Sequence, residues 1–149
     1  MIELRNADAV LRIAPQAGGG VTRYAWERGP RAIEWLRPAA EFAVARGDAT
    51  GLSCFPLVPF SNRIRNGRFR FGGRVIELPH NFPPEPHAIH GHGWQSAWRT
   101  VDQSQTGATI EYRHEGDAWP WPYRARQRFR LDDAGALELT MTVRNESDE

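Results

Sequence analysis

The sequence predicts an all-β protein, an antiparallel β-sandwich built as a single domain over residues 1–149. Three observations carry this. Helical periodicity is almost absent, and the one stretch of helix-forming composition, Ala39–Arg46, is too short to be stable alone. The last third of the chain alternates apolar and polar residues with a period of two, as half-buried strands do. Elsewhere short β-type runs are punctuated by Gly, Pro, Asn and Asp, the residues of a chain that keeps turning back on itself. No internal repeat, low-complexity tract or linker divides it.

In order, Ala9–Ala14 (A-V-L-R-I-A) and Val21–Trp26 read as strands, separated by Pro15 and Gly18-Gly19-Gly20. The three glycines are a turn rather than a phosphate cradle, since no Lys-Ser/Thr follows and no helix pattern begins. Arg31–Leu36 is a further strand. Pro56 and Pro59 keep the next stretch extended. Asn66-Gly67 marks a turn, and Phe69–Phe71 with Arg74–Leu78 forms a tight hairpin across Gly72-Gly73, where positive φ is needed. Trp94–Val101 and Ala108–His114 are expected to form a strand pair around Gly107. Tyr123–Leu131 (Y-R-A-R-Q-R-F-R-L) puts Arg124, Arg126, Arg128 and Arg130 on one face. After the turn at Asp132-Asp133-Ala134-Gly135, Ala136–Val143 turns Leu137, Leu139, Met141 and Val143 one way and Glu138, Thr140 and Thr142 the other.

Composition narrows the function. The formal charge of +1 gives no footprint for nucleic acid or an acidic membrane surface. The single cysteine, Cys54, excludes an internal disulfide and fits a reducing compartment. The start M-I-E-L-R-N-A-D lacks a charged-then-apolar leader, and no apolar run approaches membrane-spanning length, so the expected location is the cytoplasm. Six tryptophans serve either to fill a core or to offer flat platforms for sugar rings. The four arginines on one strand face either bind a phosphorylated or acidic sugar or pair with neighbouring Glu and Thr on a solvated face.

The chemistry concentrates between Ser53 and Trp98. This stretch opens S-C-F-P-L-V-P-F-S-N-R-I-R-N-G-R-F-R-F-G-G and closes P-H-N-F-P-P-E-P-H-A-I-H-G-H-G-W. It presents Asn62 and Arg63 just before the hairpin. His87, His90 and His92 follow from a loop stiffened by Pro79, Pro83, Pro84 and Pro86, and proline loops lose little entropy on ordering. A fixed guanidinium fork and an imidazole that donates or accepts near neutral pH suit a small polyol.

The pair P-F-S-N-R-I-x-N-G-x-F and H-x-I-H-G-H-G-W resembles the aldose 1-epimerase (galactose mutarotase) family. The early P-Q-A-G-G-G and the later W-P-W-P-Y fit its order. The resemblance covers essentially all 149 residues. Asn62 and Arg63 match the family's N-R-I, and His90 matches the histidine of its H-G-G. Here H-G-H-G puts His92 where glycine is usual. The resemblance implies the mutarotase-like supersandwich and a cofactor-free reaction. A base takes the anomeric hydroxyl proton while an acid protonates the ring oxygen; the ring opens, C1–C2 rotates, and closure gives the other anomer. It further implies His90 as a catalytic-site residue near the ring oxygen, with Asn62, Arg63 and His92 binding substrate. In the family the acid is a second histidine in an H-P-Y-F-like motif, and the base is a glutamate near the C-terminus. Neither has a match here, and Glu146 and Glu149 lie in a polar tail, unsuited to act as a base. The expectation is therefore the N-terminal half of such a protein, inactive alone and associating with another copy or with a chain supplying the missing half. The favoured substrate is a free aldohexose rather than a hexose phosphate. Two other readings stay open: a metal site on His87, His90 and His92, disfavoured because no carboxylate follows at useful spacing, and a non-catalytic carbohydrate-binding sandwich.

Overall fold

The computed structural model describes residues 1–148. Two four-stranded antiparallel sheets form its body. The first runs β1 (Ile2–Asn6), β2 (Ala9–Ala14), β3 (Gly20–Arg28) and β4 (Arg31–Glu34). The second has the order β12 (Leu137–Asn145), β11 (Tyr123–Leu131), β10 (Gly107–His114) and β9 (Arg99–Gln103). Between them in sequence lie helix α1 (Glu41–Arg46) and two small ribbons: β6 (Arg68–Phe71) with β7 (Arg74–Glu77), and β5 (Arg63–Ile64) with β8 (Ala88–Ile89).

Alternation decides which faces meet. In β11 Tyr123, Ala125, Gln127, Phe129 and Leu131 are buried while the arginines between them look outward. Tyr123, Ala125, Phe129 and Leu131 pack with Ile110 of β10 and, from the other sheet, with Leu4, Leu11, Ile13 and Val21, in one core that also takes in Trp98. Burying each such large side chain contributes roughly 1.5–3 kcal/mol. Polar ties seal the sandwich. The Tyr24 hydroxyl donates to the Gly135 carbonyl at 2.9 Å and accepts the Leu137 N–H at 3.0 Å. The Gln127 amide, buried on β11, donates to the Gly19 carbonyl at 2.9 Å, which satisfies a polar group that burial would otherwise penalise.

The fold is the antiparallel all-β sandwich expected from the sequence, with these differences of detail. Ile2–Asn6 is a further strand, in which Ile2 and Leu4 alternate inward. Trp94 does not belong to a strand. Gly93–Gln95 is a single 3-10 turn, and β9 begins only at Arg99. The indole N–H of Trp94 donates to the Gly91 carbonyl at 3.1 Å and that of Trp98 to the Gly93 carbonyl at 2.9 Å. Burying two indoles with their N–H groups paired wins over the weak β-propensity of Gln95-Ser96-Ala97. Of the two readings of the arginine face of β11, the structure bears out the ion-pair surface. Arg126 reaches Glu111 at 2.6 Å, Arg124 reaches Glu146 at 2.7 Å, and Arg130 lies 3.6 Å from Glu138.

Candidate active site

Pro59 and the turn at Asn62 bring the S-N-R-I segment alongside the end of the histidine loop, and a two-residue ladder joins them: Arg63 opposite Ile89, and Ile64 opposite Ala88. Immediately beyond it the chains are tied twice more. The Asn62 backbone N–H donates to His90 Nδ1 at 2.9 Å, and the His90 N–H donates to the Asn62 carbonyl at 2.9 Å. Both residues stand in the left-handed region, Asn62 at φ +62° and His90 at φ +60°. Residues other than glycine hold this conformation only where their surroundings impose it.

The bond from Asn62 fixes the histidine chemically. A backbone N–H can only donate, so Nδ1 is the acceptor, and the neutral ring carries its proton on Nε2. Partial burial, and secondarily the Arg63 charge, hold the His90 pKa below its ordinary 6.5. At neutral pH it is thus a neutral imidazole with a defined donor. Arg63 is steadied from the same loop. Its Nη2 donates to Glu85 Oε2 at 3.0 Å, and Nη1 lies 3.5 Å from Asn62 Oδ1. The guanidinium keeps the Glu85 carboxylate below its usual pKa. Glu85 sits 22 positions from Arg63, and nothing in P-P-E-P indicated that it would reach across.

Asn62, Arg63 and His90 are brought together as expected, whereas the other two histidines go elsewhere. His87 Nδ1 accepts the Asn66 N–H at 3.1 Å and so buttresses the turn. His92 faces the second sheet: its Nε2 is 2.9 Å from the Tyr123 hydroxyl and its ring lies 4.4 Å from that of His114. His114 in turn donates from Nε2 to the Trp119 carbonyl at 2.7 Å. Burial above all, and next the His114 ring, push the His92 pKa down to about 4. The three loop histidines thus engage three different partners, not one ion. Among the described residues no group of three His, Cys, Asp or Glu side chains is placed to hold a metal.

Two hollows adjoin these loops. The larger, of about 340 Å³, is walled by Phe69, Phe71, Trp119, Trp121 and Tyr123. The smaller, of about 80 Å³, is lined by Phe60, Asn81, His92, Asp117 and Trp119. The tryptophans therefore both fill the core and offer flat walls: Trp94 and Trp98 are buried, while Trp119 and Trp121 are half-buried and line the hollows. Glu146 is held by Arg113 and Arg124. Glu149 lies outside the described residues. No helix among the described residues is long and apolar enough to cross a membrane.

The family model described as aldose 1-epimerase matches residues 1–149. Over 139 residues the chain is 36% identical to the uncharacterized protein YphB of Escherichia coli K12, covering 93% of this chain and 44% of that protein. A crystal structure of a candidate aldose 1-epimerase from Escherichia coli K12 matches with a TM-score of 0.81 at 32% identity, covering 97% of this chain and 46% of that one. The GalM/aldose epimerase homologue of C. elegans matches at TM-score 0.80 and 14% identity, with 98% and 46% covered, a likeness of fold. The chain spans a little under half the length of the relatives it matches.

Proposed function

The chain belongs to the aldose 1-epimerase family, and from that premise we propose that it forms the sugar-orienting part of an isomerase that interconverts the α and β anomers of a free aldohexose such as galactose or glucose. One observation carries the reading. The Asn62–His90 link leaves His90 a neutral imidazole whose only remaining donor is Nε2–H, beside the Arg63 guanidinium.

In this reading Nε2–H hydrogen-bonds the ring oxygen of the pyranose and stabilises the charge that gathers there as the C1–O5 bond breaks. Arg63, steadied by Glu85, donates to ring hydroxyls, and Asn62 closes the edge of the site. The anomeric hydroxyl gives its proton to a base while an acid protonates O5. The chain then rotates about C1–C2, and the aldehyde is closed from its other face with the two proton transfers reversed. We assign that acid and base to groups beyond these residues, in a continuing or partnering chain. His92, although expected from the sequence to touch substrate, is placed in the proposal as support, because its Nε2 is engaged by Tyr123. The choice of a free sugar over a phosphate is supported by the ion pairs that occupy Arg124, Arg126 and Arg130.

The test is polarimetry of freshly dissolved α-galactose and α-glucose with the intact protein, alongside saturation-transfer NMR of the same sugars with this chain. The expected result is acceleration of mutarotation, together with a sugar saturation-transfer signal that His90→Ala abolishes. Binding without any acceleration would instead favour a carbohydrate-binding module.

A further inference from the structure

Asn81 lies in the Pro-rich loop, and its side chain grips the backbone on both sides of His90. Its Nδ2 donates to the Ile89 carbonyl at 2.8 Å and to the Gly91 carbonyl at 2.7 Å, while its Oδ1 accepts the Ile89 N–H at 2.9 Å. Gln95 Nε2 donates to the Asn81 carbonyl at 2.7 Å and ties the loop down from the far side. A primary amide is suited to this, since it offers two donors and an acceptor within one plane. A carboxylate could make only the bond to Ile89 N–H. His90 between the gripped residues is at φ +60°, a conformation that survives only when over-determined by its surroundings.

We propose that Asn81 is the positioning residue for His90: by holding the peptides of Ile89 and Gly91 it sets the kink that presents His90 Nδ1 to the Asn62 N–H and aims Nε2–H outward. Asn62 holds the imidazole and Asn81 holds the backbone that carries it. The functional half of this proposal rests on the reading that His90 meets the sugar; the geometric half does not.

The experiment separates the two halves. In the ¹⁵N-labelled chain, long-range ¹H–¹⁵N correlation should show His90 as the Nε2–H tautomer. Asn81→Ala removes all three bonds, and Asn81→Asp, nearly isosteric, keeps the acceptor and loses both donors. Both should move His90 toward a mixture of tautomers. His114, bonded to the Trp119 carbonyl, should keep its signal and report that the fold is intact; should the Ala variant fail to fold, the Asp variant is read alone. In the intact protein, kcat for mutarotation should fall roughly 10- to 100-fold with a much smaller change in KM, as displacement of a reacting group by about an ångström does. An unmoved His90 with His114 intact overturns the proposal, and so does a shifted His90 with unchanged kcat. A shifted His90 in a protein whose wild type neither binds nor turns over any aldose upholds the geometry and overturns the proposed function instead.

Discussion

Asn62 and His90, 28 positions apart in the chain, are joined by two hydrogen bonds of 2.9 Å that run in opposite directions, one of them from backbone to imidazole. Each stands at a positive φ that the other helps to hold. The tie locates an imidazole donor beside a guanidinium, and the consequences of disturbing it can be measured.

Removing either polar group should cost activity and leave the fold standing. In the intact protein Arg63→Ala and His90→Ala are each expected to lower kcat/KM for mutarotation by about 10²-fold, the usual loss for a positioned donor. Far-UV circular dichroism should stay unchanged, because Arg63 is exposed and neither residue belongs to the core. Near-normal polarimetric rates in both variants would remove these residues from the site.

Gly91 is expected to tolerate no side chain. It sits at φ +66°, and a Cβ there would fall 2.0 Å from the Val58 carbonyl oxygen. Gly91→Ala combines left-handed strain with overpacking against backbone, together roughly 2–5 kcal/mol. Thermal melting should show the loss; a melting temperature within a degree or two of wild type would mean that the Pro59 loop yields freely.

Stability should fall on mild acidification because of His92. Burial, with His114 next to it, lowers its folded-state pKa from 6.5 to about 4, while nearby Asp117 opposes the shift. The unfolded chain therefore takes up the proton first as the pH drops. The stabilising effect is complete above pH 6.5 and is lost progressively down to about pH 4, and with the ring only partly buried and screened by solvent it amounts to about 1–2 kcal/mol. His92→Gln keeps a partner for the Tyr123 hydroxyl and cannot titrate, so it should flatten the melting temperature across that window. An equally steep profile in the variant would assign the acid sensitivity to other groups.

Among the described residues the second sheet ends at β12, which pairs with β11 alone and exposes Leu139, Met141 and Val143 at 40%, 37% and 46%. An open edge with an apolar row favours association. Light scattering should find this chain self-associated at micromolar concentration, and Met141→Lys should weaken the association. Polarimetry on the chain alone should show no mutarotation, since the proposed function assigns both the acid and the base to groups outside these residues. A stable monomer with full activity would refute both expectations.

Local chemistry by itself determined most of the architecture. The alternation in Tyr123–Leu131 appears as a strand with those bounds, and Gly72-Gly73 makes its hairpin turn with both φ angles positive. Side-chain period and turn residues act over a few positions, so they are legible along the chain. The motif pair likewise named Asn62, Arg63 and His90. Tertiary structure alone decided how these groups are held. Glu85 on Arg63, Asn81 on the peptides around His90, and Tyr123 and His114 against His92 are pairings between segments that only folding brings together. The three histidines of one short motif look alike in sequence. They acquire three different environments because the left-handed residues at His90 and Gly91 turn the backbone between them, and such a reversal depends on what the fold places on either side.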